Sequence, residues 1–152
     1  MKKPLISILY TVYNHESYID EAMNSFLSQK VDVPIEIVIG EDKSQDNSLG
    51  VLRKYQKKYP DIVKLIANDQ NQRYVKNSCN TIRQCKGDYI AICDGDDYFT
   101  SESKLQLQYE AMYNEPRINL SFHDYVLDIE GVHKDHLDPR VPNVLQKNIG
   151  TK

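Results

Sequence analysis

Three short polar segments, each set directly after an apolar run, hold the residues best suited to chemistry: Thr11-Val12-Tyr13-Asn14, Gly40-Glu41-Asp42 and Asp94-Gly95-Asp96-Asp97. Ligands of open α/β sheets bind beyond the carboxyl ends of the strands, so if those runs are strands of one sheet the segments bring up to five carboxylates to a single rim. Carboxylates held close together repel and raise one another's pKa, a cost that a cation or a donor-rich ligand relieves. A divalent ion is the simplest such cation. Every donor on offer is an oxygen, which suits Mg²⁺ or Mn²⁺ and not zinc or copper. Mg²⁺ takes one or two carboxylates and leaves its other positions to water and substrate phosphates, so the pattern implies a phosphorylated substrate. The alternative for the tetrad is a solvated turn, since Asp and Gly both form turns readily.

The elements that must position these residues alternate between apolar runs and amphipathic stretches, the pattern of strands feeding helices on a largely parallel sheet, and the fold class is α/β. Leu5 to Val12 reads as a buried first strand, and Ile19, Ala22, Met23, Phe26 and Leu27 share one face of a helix that Ser17 would cap. Pro34 opens a second strand, Ile35 to Ile39, followed by a loop through Asp46 and a helix carrying Leu49, Leu52, Tyr55 and Tyr59. Ile62 to Ala67 gives a third strand, then a polar loop from Asn68 to Lys76 and a helix near Asn77 to Lys86 that stops at Gly87. Tyr89 to Cys93 is the fourth strand, and Ser101 to Asn114 a helix with Leu105, Tyr109 and Met112 inward. Ile118 to Ile129 carries β-prone residues over the length of one long or bent strand, while Gly131 to Lys152 is polar, Pro-broken and without periodicity. The expected organisation is one domain over residues 1–130 and a polar tail, or the start of a further region, over 131–152.

Composition narrows the classes. The chain has 152 residues, 27% of them charged and 40% hydrophobic, which is ordinary globular material. Nineteen Lys plus Arg against twenty-two Asp plus Glu give a formal charge of -3, with no broad positive field for a nucleic-acid backbone. The apolar run after Lys2 and Lys3 stops at Asn14-His15-Glu16 without a small-residue cleavage site, and no segment reaches the ~20 apolar residues of a membrane span. Cys79, Cys85 and Cys93 are odd in number and lack zinc-site spacing, so free thiols in a reducing cytoplasm are expected. Neither G-x-G-x-x-G nor G-x-x-x-x-G-K-[ST] occurs among the six glycines, which leaves phosphates to be held by metal. A calcium loop starting at Asp94 is excluded, because Phe99 stands where it needs Gly and Leu105 where it needs Glu.

Taken together, Ile6 to Asn14, Ile37 to Ser48 and Gly87 to Tyr98 resemble, in order and spacing, the family-two glycosyltransferases of the GT-A fold across about the first 130 residues. The resemblance implies a Rossmann-like three-layer sandwich with a mostly parallel, mixed sheet, and an inverting transfer of sugar from a nucleotide-diphosphate donor, usually a UDP-sugar, to a glycan or other hydroxyl acceptor in work such as polysaccharide assembly. It implies that Thr11, Tyr13 and Asp42 hold the base, that Arg73 faces the diphosphate or ribose, that Asp94 lies near ribose or sugar hydroxyls, and that Asp96, assisted by Asp97, binds Mn²⁺ or Mg²⁺. It also implies a cytoplasmic enzyme working at the inner face of the membrane. The family's general base lies well past the Asp-x-Asp segment, in an acceptor-binding half that this chain does not reach, so the catalytic base is unassigned and the fold is expected to be cut short. Asp124, Asp128, Asp135 and Asp138 are available but match no motif, and His133 and His136 are spaced as metal ligands yet read more simply as solvated. Two alternatives stand beside this reading: a non-catalytic nucleotide-sugar-binding fragment, and a phosphatase, since Tyr89 to Asp96 also resembles the first motif of the haloacid-dehalogenase family, with Asp94 as nucleophile.

Overall fold

A computed structural model describes residues 6–115, 117–123, 125–129 and 132–136. They fall into two compact units, one ending at Tyr109 and one beginning at Glu110. The first unit is built on strands β1 (Ile6–Val12), β2 (Ile35–Glu41), β3 (Val63–Ala67) and β4 (Tyr89–Asp94), in the spatial order β3-β2-β1-β4 with every pair parallel. Between them run α1 (Glu16–Leu27), α2 (Ser48–Lys58) and α3 (Arg73–Ile82), and α4 (Lys104–Asn114) follows β4. The α/β expectation holds, and among the described residues the four-stranded sheet is wholly parallel, not mixed.

Strand alternation explains the layers. Ile8, Tyr10, Val12, Ile37 and Ile39 point to one face and bury against Ile19, Met23 and Phe26 of α1, with the Tyr10 and Phe26 rings edge to face at 5.2 Å. The opposite face mixes buried Leu9 and Val38 with buried Ser7, Thr11 and Glu36. Gly40 lies against Asn77 and Thr81 of α3, and a Cβ there would meet the Thr81 hydroxyl and come within 2.7 Å of Asn77 Oδ1. That contact holds α3 close to the central strands, and the cleft described below depends on it.

Several boundaries differ from the sequence expectation for tertiary reasons. The N-cap of α1 is His15, not Ser17, and the helix's first donor goes to a distant acceptor: Glu16 N–H donates to Asp46 Oδ2 at 3.0 Å. β2 runs on to Glu41 because β1 continues beside it, pairing Thr11 with Gly40 and Val12 with Glu41. α3 starts at Arg73 and ends at Ile82, about a turn ahead of the expected span, and α4 starts at Lys104 and not Ser101. Among the described residues of the second unit, Tyr125–Ile129 of the expected Ile118–Ile129 strand forms a strand (β5), and Val132–His136, expected to be irregular tail, forms β6 and pairs antiparallel with it. Asp128 and His133 are opposite one another in that ladder, as are Val126 and Asp135, and Tyr125 and His136. Leu5, Asp124, Asp138 and the tail beyond His136 lie outside the described residues. No helix among the described residues is long and apolar enough to cross a membrane.

Candidate functional site

The parallel register brings the carboxyl ends of all four strands to one edge, with Thr11 beside both Gly40 and Asp94. Chain order runs outward from β1 through β2 to β3, then returns to β4 on the other side. The crevice above β1 and β4 is therefore the switch point at which open α/β sheets bind ligands. An open cleft of about 480 Å³ lies there, lined by Thr11, Tyr13, Asp42, Arg73, Asp94 and Asp96, together with Val12, His15, Asn71, Tyr74, Gly95 and Asn77.

Each expected residue has a defined place. Thr11 is buried at the end of β1, and Tyr13, 39% exposed, follows it with its ring accessible. Asp42 is only 3% exposed; its Oδ1 accepts from Asn68 Nδ2 at 3.0 Å and from the Gln72 backbone N–H at 2.7 Å. Asn68 Nδ2 also donates to Asn77 Oδ1, and Asn77 Nδ2 to the Gly40 carbonyl. That chain of amides ends on acceptor-only groups at both ends, so its polarity is forced. Oδ2 of Asp42 has no protein hydrogen bond among the described residues. Asp94 is half-buried and accepts the Tyr74 hydroxyl at Oδ1, while Asp96 and Asp97 are exposed and Asp97 is not part of the cleft lining. The Asp94 charge, with that hydrogen bond, holds the Tyr74 phenol above its ordinary pKa, so it remains a donor at neutral pH.

The expected rim of five carboxylates is reduced to three in the cleft. Glu41 is wholly buried and its Oε1 accepts the Ser44 N–H, so it does not reach the cleft. Against Asp42, Asp94 and Asp96 the lining offers Arg73 as its one fixed cation. A diphosphate entering alone would meet more negative charge than positive. Among the described residues no group of three or more His, Cys, Asp or Glu could hold a metal ion by itself; the carboxylates of Asp94 and Asp96 in the cleft are the one or two protein ligands that a Mg²⁺-type ion commonly takes.

The backbone around the cleft is specified tightly. The only non-glycine residues with positive φ among those described are Asn14 (58°), Lys43 (61°) and Arg73 (65°); the first two adjoin Tyr13 and Asp42, and the third lines the cleft itself. Such strain costs about 1–3 kcal/mol each and persists where surrounding bonds over-determine it. Here Asn14 N–H donates to Ser44 Oγ, the Gln45 N–H to Asn14 Oδ1, and the Arg73 N–H to Asn71 Oδ1. The Asp94–Asp97 turn is closed by the Asp97 N–H to the Asp94 carbonyl, and held from below by the buried Tyr10 hydroxyl donating to the Gly95 carbonyl at 2.9 Å. Gly95 has no room for a side chain: a Cβ would strike His15 Nδ1, a buried nitrogen without a hydrogen-bond partner among the described residues, and lie 2.6 Å from the Thr11 carbonyl. Gly95→Ala should therefore lose about 1–3 kcal/mol of stability, because the opposing carbonyl is backbone and cannot yield. Urea unfolding reads this directly, and an unchanged midpoint would contradict it.

His15, Asn71, Tyr74 and Asn77 were not anticipated as lining residues. Their position was readable in one respect: the Asn-rich stretch after β3 had to emerge at the same sheet edge as the other loops.

Residues 7–150 match the family described as Glycosyl transferase family 2. A poly(ribitol-phosphate) beta-glucosyltransferase of Bacillus spizizenii is 36% identical over 118 residues, 76% of this chain and 18% of that protein. TarS residues 1–349 from S. aureus, in a crystal structure in complex with UDP, is similar at a TM-score of 0.65 and 27% identity, over 74% of this chain and 33% of that one. A mannosyltransferase from Pyrobaculum calidifontis, in complex with GDP-Man and Mn²⁺, shares the fold at a TM-score of 0.61 and 20% identity, over 70% of this chain and 31% of its own. The chain spans well under half the length of several curated relatives that it matches.

Proposed function

The chain belongs to glycosyl transferase family 2, with its GT-A fold, and from that premise we propose that it forms the donor-binding part of a metal-dependent glycosyltransferase that takes its sugar from a UDP-sugar. The observation that carries the reading is the convergence of Thr11, Tyr13, Asp42, Arg73, Asp94 and Asp96, from separate stretches of chain, on one cleft. It leaves the haloacid-dehalogenase alternative without support, because the family match extends far beyond the Asp94-Gly95-Asp96 segment.

In this reading Tyr13 offers a ring face to the pyrimidine, with Thr11 beneath it, and Asp42 Oδ2 accepts the imide N–H of uracil as a charge-assisted hydrogen bond. Asp94 accepts from the ribose hydroxyls, and the Arg73 guanidinium takes phosphate oxygens through its paired donors. Asp96, assisted by Asp97, holds Mn²⁺ or Mg²⁺. When bound there, the ion supplies Lewis-acid stabilisation of the charge that develops on the departing diphosphate. The UDP bound by TarS supports the uridine assignment, and the glucosyl transfer named for the Bacillus protein supports transfer of a sugar. No residue described here is assigned as the base that deprotonates the acceptor hydroxyl.

Thermal unfolding tests the proposal. UDP with Mn²⁺ at about 100 times its Kd should stabilise the chain by ~2.7 kcal/mol, raising Tm by about 5–10 °C. UDP without metal should give a smaller rise, and CDP with Mn²⁺ little. No shift with either UDP or GDP in the presence of Mn²⁺ would overturn the reading.

A further inference from the structure

Tyr74 lies in the first turn of α3 with its side chain 61% exposed, yet its hydroxyl donates to Asp94 Oδ1 at 3.1 Å across the mouth of the cleft. A tyrosine that exposed gains little from packing. We propose that Tyr74 is a positioning residue that presets the Asp94 carboxylate for the ribose hydroxyls of the donor nucleotide, an inference that rests on the functional reading above.

Asp94 needs such a partner. It is the last residue of β4, an edge strand of the described sheet, and its backbone is fixed by its place beside Thr11 and by the Asp97 N–H that its carbonyl accepts. Its side chain has no such restraint, and among the described residues the Tyr74 hydroxyl is the one hydrogen-bond donor to its carboxylate. Binding a hydroxyl through a freely rotating carboxylate carries an ordering cost, and fixing one oxygen in advance removes much of it. With Oδ1 engaged, Oδ2 is left as the acceptor for a ligand hydroxyl. Tyr74 is itself held in place. It follows Arg73, whose φ of 65° turns the chain into α3 and whose N–H is fixed by Asn71 Oδ1 at 2.9 Å, so the phenol reaches Asp94 from an anchored backbone.

The substitution Tyr74→Phe keeps the ring and removes only the hydroxyl, at an exposed position where folding is not at risk. Calorimetric titration with Mn²⁺ should compare UDP with its 2′-deoxy and 3′-deoxy analogues. The wild-type chain should bind UDP at least about tenfold more tightly than the weaker-binding analogue. In Tyr74→Phe the Kd for UDP should rise about five- to tenfold while that for the weaker analogue moves less than about twofold, so that discrimination largely disappears. Equal weakening of all three ligands, no change, or tighter UDP binding, which would make the phenol a competitor for Asp94, overturns the inference. A wild type that binds UDP and discriminates, and passes that discrimination intact to Tyr74→Phe, overturns the role of Tyr74 alone. A wild type that binds no UDP removes the functional reading, and the inference with it.

Discussion

Asp42→Asn is expected to weaken UDP binding about 30- to 100-fold and to shift the preference of the cleft toward CDP. Asparagine has nearly the shape of aspartate, so the effect comes from which atom faces the ligand. Asn68 Nδ2 and the Gln72 N–H both point at the Oδ1 position, and Asn68 cannot turn its amide because Asn77, locked on the Gly40 carbonyl, presents it an oxygen. An asparagine at 42 must therefore put its carbonyl toward those donors and its NH₂ where Oδ2 stood. A donor then faces the N3–H of uracil. The charge-assisted bond, worth about 1.5–3 kcal/mol, is lost and replaced by two opposed donors. Cytosine carries an acceptor at N3 and would be better matched. Stability should change little, since both local donors keep an acceptor. Competition titrations with UDP and CDP measure the effect, and an Asp42→Asn variant with the wild-type ratio of the two affinities would show that this carboxylate does not read the base.

The parts of the molecule legible in the sequence were those whose signal is local. Ile6 to Val12 and Ile35 to Ile39 are mostly apolar, broken only by Ser7, Thr11 and Glu36, as suits strands covered on both faces. Asp94-Gly95-Asp96 follows such a run directly, and its chemistry is carried by residue type. The parts that differ from the local pattern are set by partners distant in sequence. Helix α3 begins a turn early because the N–H groups ahead of it find acceptors in Asp42, thirty residues back, and in Asn71. Asp46 performs the same service for α1, which is why Ser17 was the wrong cap. Between the sheet and α3, Ser7, Thr11 and Glu36 of the strands and Asn77 and Thr81 of the helix are buried beside Leu9 and Val38, and no hydrophobic periodicity announces so mixed an interior. Glu41 looked like a rim carboxylate because it adjoins Asp42, but successive strand residues point to opposite faces, and only one of the two can line the cleft. Tyr74 was invisible for a related reason: nothing in the local pattern says that its hydroxyl meets an aspartate twenty residues away.

The second large effect expected is at Asp96. Its field already reaches the interior: burial, and after it the nearby Asp96 and Asp97 carboxylates, push the Tyr10 phenol above its ordinary pKa, and burial with Asp97 and other carboxylates takes the Cys93 thiol up to about 12. The turn that carries Asp96 is thus a site of concentrated negative potential. A diphosphate approaches it far more favourably when a cation intervenes, so the metal should tighten UDP binding by a factor that depends on this carboxylate. With Mn²⁺, wild-type affinity for UDP should rise about 100-fold over the metal-free value, ~2.8 kcal/mol, and Asp96→Ala should abolish nearly all of that gain. Metal-free binding should move the other way, improving slightly, because one repelling charge has gone. This opposite response separates loss of a metal ligand from general damage to the cleft, which would weaken both. Titrations of each protein with UDP, in Mn²⁺ and in a chelator, give the four affinities needed. If Asp96→Ala keeps the full metal enhancement, the ion is held elsewhere or not at all, and the acidic turn at the end of β4 has some other purpose.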